Sequence, residues 1–294
     1  MYYKESELIA CFEKTGKRIS DLTLEMEASS SKRSEKDIRN DLLTMLRVME
    51  SSSSNYLKKP ASTTMNLIKG FSEKLFSQSK KNGSLAGKAI NELMALAFST
   101  IETNASMGKI VAAPTAGSSG IIPACLMYYK KNFTASDDDL IDALLTATGI
   151  GHIIGRFATF AGAEGGCQAE CGSAAAMASG ALVFLKGGST SQILGAAGIC
   201  LMNIMGLVCD PIGGIVEFPC GYRNASGAVN AVISADMALA GLYGKVPFEQ
   251  VVKAMDKVGR ALPCSLRETG LGGVAGTDEG LKIRKDFFHI EENS

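Results

Sequence analysis

Four of the eight cysteines stand in or beside glycine-rich stretches. Cys167 closes Gly162-Ala-Glu-Gly-Gly-Cys167 and Cys171 follows four residues later. Cys209 opens Cys209-Asp-Pro-Ile-Gly-Gly214, and Cys220 ends Phe218-Pro-Cys220. Glycine lets backbone approach a ligand closely, so these stretches are candidates for one shared site. The plain reading makes each a tight turn and each cysteine a small buried hydrophobe. The metal reading uses the thiolates. No C-x-x-C pair occurs, which argues against a structural zinc site, whereas an iron–sulfur cluster accepts thiolates from separate loops. Cys209 and Cys220 flank the Gly-Gly turn and can face one pocket. Cys167 and Cys171 share a face if their segment is helical, and spacing does not choose between them. Three thiolates on a four-iron cluster leave one iron open as a Lewis acid for substrate.

A third glycine-rich stretch, Ala113-Pro-Thr-Ala-Gly-Ser-Ser-Gly120, precedes the apolar run Ile121 to Met127. Pro123 suits the first turn of a helix there. Free N–H groups at its start, with the hydroxyls of Thr115, Ser118 and Ser119, would suit a carboxylate or phosphate. Neither the G-x-x-x-x-G-K-[ST] nor the G-x-G-x-x-G nucleotide pattern is present. His152 reads as a packed or capping residue and His289 lies in the charged tail, so a histidine-based triad has no support. Acid–base work falls to Ser, Lys, Glu, a metal-bound group or another chain.

The elements that position these stretches read as helices. Ser34 with Asp37, and Ser136 with Asp139, are capping signals ahead of helically spaced apolar residues, predicting helices over 34–50 and from 137 onward. Leu85 to Thr103 predicts another, and Pro247 opens a fourth. Ser51 to Pro60 reads as a connection, with a boundary near 60 dividing an N-terminal helical segment (1–60) from a helical catalytic domain (61–294). Strand signals are confined to Lys109–Ala113 and Gly214–Phe218. Gly187 to Cys209 carries no charge, but its apolar run from Ile193 to Val208 is about 16 residues, short of the ~20 needed to span a bilayer, and predicts a helix buried on all sides. The class is all-α.

Composition excludes whole functional classes. Over 294 residues, 30 Lys+Arg balance 30 Asp+Glu, so no global field draws the chain to nucleic acid or anionic lipid. With 46% hydrophobic and 20% charged residues the chain can bury a large core, and 32 Gly, 13 Met and no Trp point to close-packed helices. The opening MYYKESELIA lacks the apolar region of a secretory signal, and a chain this long needs no disulfide staples, so a cytoplasmic protein with free thiols is predicted.

Taken together, Asn104 to Gly120, Ala163 to Glu170, Cys209 to Gly214, Pro219-Cys220 and Arg223-Asn224 resemble the α subunit of the bacterial iron–sulfur L-serine dehydratase (L-serine ammonia-lyase), a likeness running from about residue 18 to 284. The resemblance implies an all-helical catalytic domain, a [4Fe-4S] cluster on Cys167, Cys209 and Cys220, and a separate β subunit in an αβ hetero-oligomer. Cys171 is then structural. On that footing Thr115, Gly117, Ser118 and Ser119 are the expected holders of the carboxylate of L-serine, with Arg223 and Asn224 on the cluster side, and Ser118, Ser119 or a residue of the β subunit open as the proton acceptor. Single-chain relatives end in a tail whose cysteine can cap the open iron, whereas Leu281 to Ser294 has none. The family's lysine is replaced here by Arg156, which stays protonated and suits a carboxylate clamp rather than a base. Two other classes compete. A pyridoxal-phosphate dehydratase would use Ala116–Gly120 as its phosphate loop and Lys109 or Lys186 as its Schiff base, and an iron–sulfur oxygen sensor would use the cluster without chemistry.

Overall fold

Side-chain caps start the helices where the sequence places them. In a computed structural model, which describes residues 3–60, 62–81 and 83–290, Ser34 Oγ accepts the Asp37 N–H at 3.1 Å and Ser136 Oγ accepts that of Asp139 at 3.1 Å. Each satisfies a donor that the first helical turn leaves free. The chain runs α1 (Glu5–Thr15), α2 (Ile19–Ser31), α3 (Glu35–Ser54), α4 (Phe71–Gln78), α5 (Gly87–Ala105), α6 (Ile121–Asn132), α7 (Asp137–Phe157), α8 (Gly162–Gly165), α9 (Ser173–Leu185), α10 (Thr190–Asn203), α11 (Cys220–Leu239), α12 (Phe248–Ala261) and α13 (Asp278–Phe288). No strand occurs among the described residues, where pairing amounts to one isolated bridge between Cys209 and Arg267. The fold is all-α.

Two local expectations are corrected. Helix α3 continues through Ser51–Ser54 because the serine hydroxyls turn back onto the preceding turn, Ser52 Oγ to Met49 O at 3.2 Å and Ser54 Oγ to Glu50 O at 2.8 Å. The carbonyl of Ser52 accepts from Ser99 and Thr103 of α5, which draws this polar run inward. The segments 109–113 and 214–218 form no strand, because neither finds a partner: Gly213 and Gly214 lie at positive φ within a short turn.

Helix α9 sits at the centre, enclosed by α6, α7, α10 and α11. Its residues from Ser173 to Val183 are all buried, and most are Ala, Ser or Gly. Small side chains allow this proximity: a Cβ on Gly180 would fall 2.1 Å from Ile150 Cδ1, and one on Gly227 of α11 2.6 Å from Ile121 Cδ1. The apolar Ile193–Leu201 stretch lies in α10, packed by α9, α11 and α12. One helix among the described residues, α7, has the length and composition to cross a membrane, and 67% of it is buried inside the domain. The N-terminal helices join the same body, α2 against α7 and α3 against α5.

One close backbone approach lies beside the site. A Cβ on Gly259 of α12 would meet Gly165 Cα and Gly165 O at 2.7 Å, and backbone cannot step aside as a side chain can. Gly259→Ala should therefore cost about 1–3 kcal/mol in denaturant unfolding. The control is Gly198→Ala in α10, where the nearest atom is 3.9 Å away. It should be neutral or stabilising by roughly 0.5–1 kcal/mol through helix propensity.

Candidate metal and substrate site

The end of α9 that lies toward α8 receives three loops. Cys167 sits between α8 and a wide π turn, Gln168–Gly172, that leads into α9. Cys209 follows α10 and is held by its backbone, its N–H donating to Leu266 O at 2.9 Å and its carbonyl accepting from Glu268 N at 2.7 Å. Cys220 is the first residue of α11, after Pro219. All three are free and buried, as is Cys171.

Two buried amides fix these loops. Gln168, adjacent to Cys167, donates Nε2 to Gly165 O and Met255 O, both at 2.9 Å, and its Oε1 accepts the Gly206 N–H at 2.9 Å. Its backbone N–H donates to Leu207 O at 3.1 Å, so the Cys167 turn is tied to the chain just before Cys209. Asn224, one turn after Cys220, donates Nδ2 to Cys220 O at 2.9 Å and to Gly117 O at 2.7 Å, while its Oδ1 accepts the Gly120 N–H at 2.9 Å. The Thr115–Gly120 stretch, a single 3-10 turn, is thereby docked on α11. Glu217 anchors the same region from the other side, accepting from Thr63 Oγ1, Met65 N and Leu67 N.

The thiols face one another in a dry space. Burial, then the neighbouring Cys167, pushes Cys220 up to about 12. Burial drives Cys209 higher still. Cys167 and Cys171 lie close enough to interact, and the pair holds the Cys167 pKa below and the Cys171 pKa well above the ordinary thiol value. Arg223 of α11 lies within electrostatic reach of Cys167 and Cys220 and is ion-paired through Nη2 with Asp210, whose Oδ2 accepts the Val274 N–H at 2.6 Å. The other guanidinium nitrogen, Nη1, is buried without a partner.

These features fit an anionic metal cluster. Buried thiols within electrostatic reach of one another would give up their protons to a bound metal, and an uncommitted buried guanidinium N–H suits net negative charge beside it. Among the described residues, no three His, Cys, Asp or Glu side chains close around one ion position. A cluster of several irons accepts sulfurs spaced more widely than a single ion does.

The remaining sequence-predicted residues gather at the same place. Thr115 Oγ1 lies 3.1 Å from Ser118 Oγ, and Ser119 Oγ donates to Ala116 O at 2.8 Å. Ser118, Ser119 and Asn224 are fully buried. Lys186 and both histidines have their partners elsewhere. Lys109 is exposed, and Lys186 sits about 20 Å along α9 from its site end, with Nζ 3.3 Å above the Phe133 ring centroid. His152 Nε2 is 3.2 Å from Glu27 Oε1 and His289 caps α13. Arg156 rests over the Tyr3 ring.

Glu170, Gln168 and Asp210 tie the loops and charges of this region together in ways that spacing did not single out. Glu170 Oε1 accepts from Thr115 Oγ1 at 2.9 Å, and Oε2 lies 3.8 Å from Cys209 Sγ. Burial raises its pKa, against the lowering hydrogen bond from Thr115. The available signal was polar residues set among glycine, alanine and cysteine in Ala163-Glu-Gly-Gly-Cys-Gln-Ala-Glu170.

Asn224→Leu should cost several kcal/mol in unfolding free energy, since the Gly120 N–H and the Gly117 and Cys220 carbonyls would be left buried, at about 1–3 kcal/mol each. Chemical denaturation checks it.

Comparison with known proteins places this geometry. The family model described as serine dehydratase alpha chain matches residues 14–275. The L-serine dehydratase, alpha chain, of Peptoniphilus asaccharolyticus is 50% identical over 281 residues, 96% of each chain. The probable L-serine dehydratase, alpha chain, of Bacillus subtilis is 40% identical over 288 residues, 98% of this chain and 96% of that one. The L-serine dehydratase of Streptomyces coelicolor is 37% identical over 272 residues, 92% of this chain and 59% of that protein.

Proposed function

The chain belongs to the serine dehydratase alpha-chain family, and on that premise we propose that it is the α chain of an L-serine ammonia-lyase, converting L-serine to pyruvate and ammonia. The observation that carries this is the convergence of Cys167, Cys209 and Cys220 beside the uncommitted Arg223 Nη1 and the Thr115–Gly120 loop. The three thiolates would hold a [4Fe-4S] cluster, which supplies a Lewis acid for the departing β-hydroxyl when bound. Cys171, a buried structural thiol, stays outside the ligand set.

The protein's own groups supply binding and order. Arg223 carries a fixed positive charge, and its spare N–H can take a substrate carboxylate oxygen or support negative charge on the cluster side. Thr115, Gly117, Ser118 and Ser119 form the loop that receives the charged end of the substrate. Asn224 holds that loop at a set distance from Cys220. Loss of the α-proton and of the β-hydroxyl leaves aminoacrylate, which tautomerises to the imine and hydrolyses to pyruvate and ammonia. Ser118 or Ser119 in this chain, or a residue of the partner, takes the α-proton.

A separate β chain completes the enzyme as an αβ hetero-oligomer. Relatives named alpha chain match end to end, while the Streptomyces coelicolor protein extends well beyond the matched part. The cytoplasm is the proposed compartment, since every cysteine is free. The pyridoxal-phosphate reading loses Lys186, which is remote from the loop.

Cys167→Ala, Cys209→Ala and Cys220→Ala should each abolish iron and sulfide retention after anaerobic reconstitution, with Cys200→Ala unaffected. Near-normal iron in any of the first three contradicts the ligand set. Thr115→Val and Ser118→Ala should keep iron content while kcat/KM for L-serine falls about tenfold to a hundredfold. The isolated chain should show little pyruvate formation until a β chain is added, and activity should fall in air and return with iron and reductant.

A further inference from the structure

The loop hydroxyls have a definite polarity. The Glu170 carboxylate only accepts, so the hydrogen of Thr115 Oγ1, 2.9 Å from Oε1, points at it. Ser118 Oγ lies 3.1 Å from Thr115 Oγ1 and 3.5 Å from Thr115 O, so its hydrogen is also directed within the loop. That of Ser119 goes to Ala116 O at 2.8 Å. With its hydrogen turned toward Glu170, Thr115 Oγ1 offers a lone pair, which suits a donor rather than a carboxylate.

The carboxylate at the end of this relay stands where the loops meet. A Cβ on Gly117 would lie 3.2 Å from Glu170 Oε1, and one on Gly162 2.7 Å from Oε2. Any larger residue at Gly162 would displace the carboxylate or Cys209 Sγ, itself 2.9 Å from that Cβ position. Glu170 is only partly buried, so its carboxylate is within reach of a ligand. Across the site, Arg223 Nη1 is the uncommitted cationic donor. The two charges of opposite sign match a zwitterion.

We propose that Glu170, with the lone pairs of Thr115 Oγ1, binds the α-ammonium of the substrate, while its carboxylate lies toward Arg223. Glu170 is thus the residue that selects an α-amino acid over the corresponding hydroxy acid. The assignment rests on the dehydratase reading and deepens it.

The test uses the anaerobically reconstituted αβ holoenzyme with L-serine as substrate and glycerate, which carries a hydroxyl in place of the ammonium, as competitive probe. Glu170→Gln keeps size and one acceptor oxygen but loses the charge. It should raise KM for L-serine about tenfold to a hundredfold, leave the glycerate inhibition constant within about twofold, and leave iron and sulfide per chain unchanged. Equal weakening of L-serine and glycerate would overturn the proposal, as would loss of kcat with KM unchanged. Those results leave the dehydratase reading standing. Failure of the unmodified holoenzyme to form pyruvate from L-serine would remove both.

Discussion

The side chain of Asn224 joins two loops that lie more than a hundred residues apart, and the site depends on that join. One amide satisfies the Cys220 carbonyl, the Gly117 carbonyl and the Gly120 N–H in a space closed to water. Gln168 performs the matching task between the Cys167 turn, α12 and the approach to Cys209. An amide is well suited to this because it donates and accepts at once and carries no charge to desolvate. Each of these bonds contributes only about 1 kcal/mol net, yet none can be lost without leaving a buried group unpaired. The loops therefore hold their separation as a unit, and the three thiols inherit it.

The helices were legible because their signals are local. Ser34 and Ser136 act as the caps their spacing predicts, and the uncharged stretch within 187–209 gives the buried α10. The extension of α3 through four serines was not, since it depends on α5 reaching back to the Ser52 carbonyl. Helix α9 shows the same limit: its run of Ala, Ser and Gly has little amphipathic pattern because neighbours enclose it on every side.

The site divides along the same line. The cysteines, the Thr115–Gly120 loop and Arg223-Asn224 stand out by residue type and motif. What spacing could not supply was the direction of hydrogen bonds. Cys167 and Cys171 share a helical spacing and a buried setting, so spacing does not separate them. Glu170 is one charged residue among many until Gly162, in the same stretch, and Gly117, remote in sequence, are seen to make room for its carboxylate. The hydroxyl of Thr115 suggests a donor to an anion by type, and the glutamate reverses that polarity.

The Arg223–Asp210 pair explains why such a site is kept in an otherwise apolar protein. Burying a guanidinium costs more than a single ion pair returns unless its remaining hydrogens are also met, so an apolar replacement would serve stability as well. Asp210 is itself fully committed, holding Val274 as well as Arg223, and a Cβ on Gly273 would fall 2.1 Å from its Oδ2. The C-terminal turn is therefore fastened through Asp210 to the arginine. The pair fixes the guanidinium by one edge and leaves the other edge, Nη1, without a partner. A residue serving packing alone would not hold a cation so firmly and leave part of it unsatisfied. The arrangement makes sense when negative charge arrives at that edge, where the preset N–H needs no reorganisation to meet it.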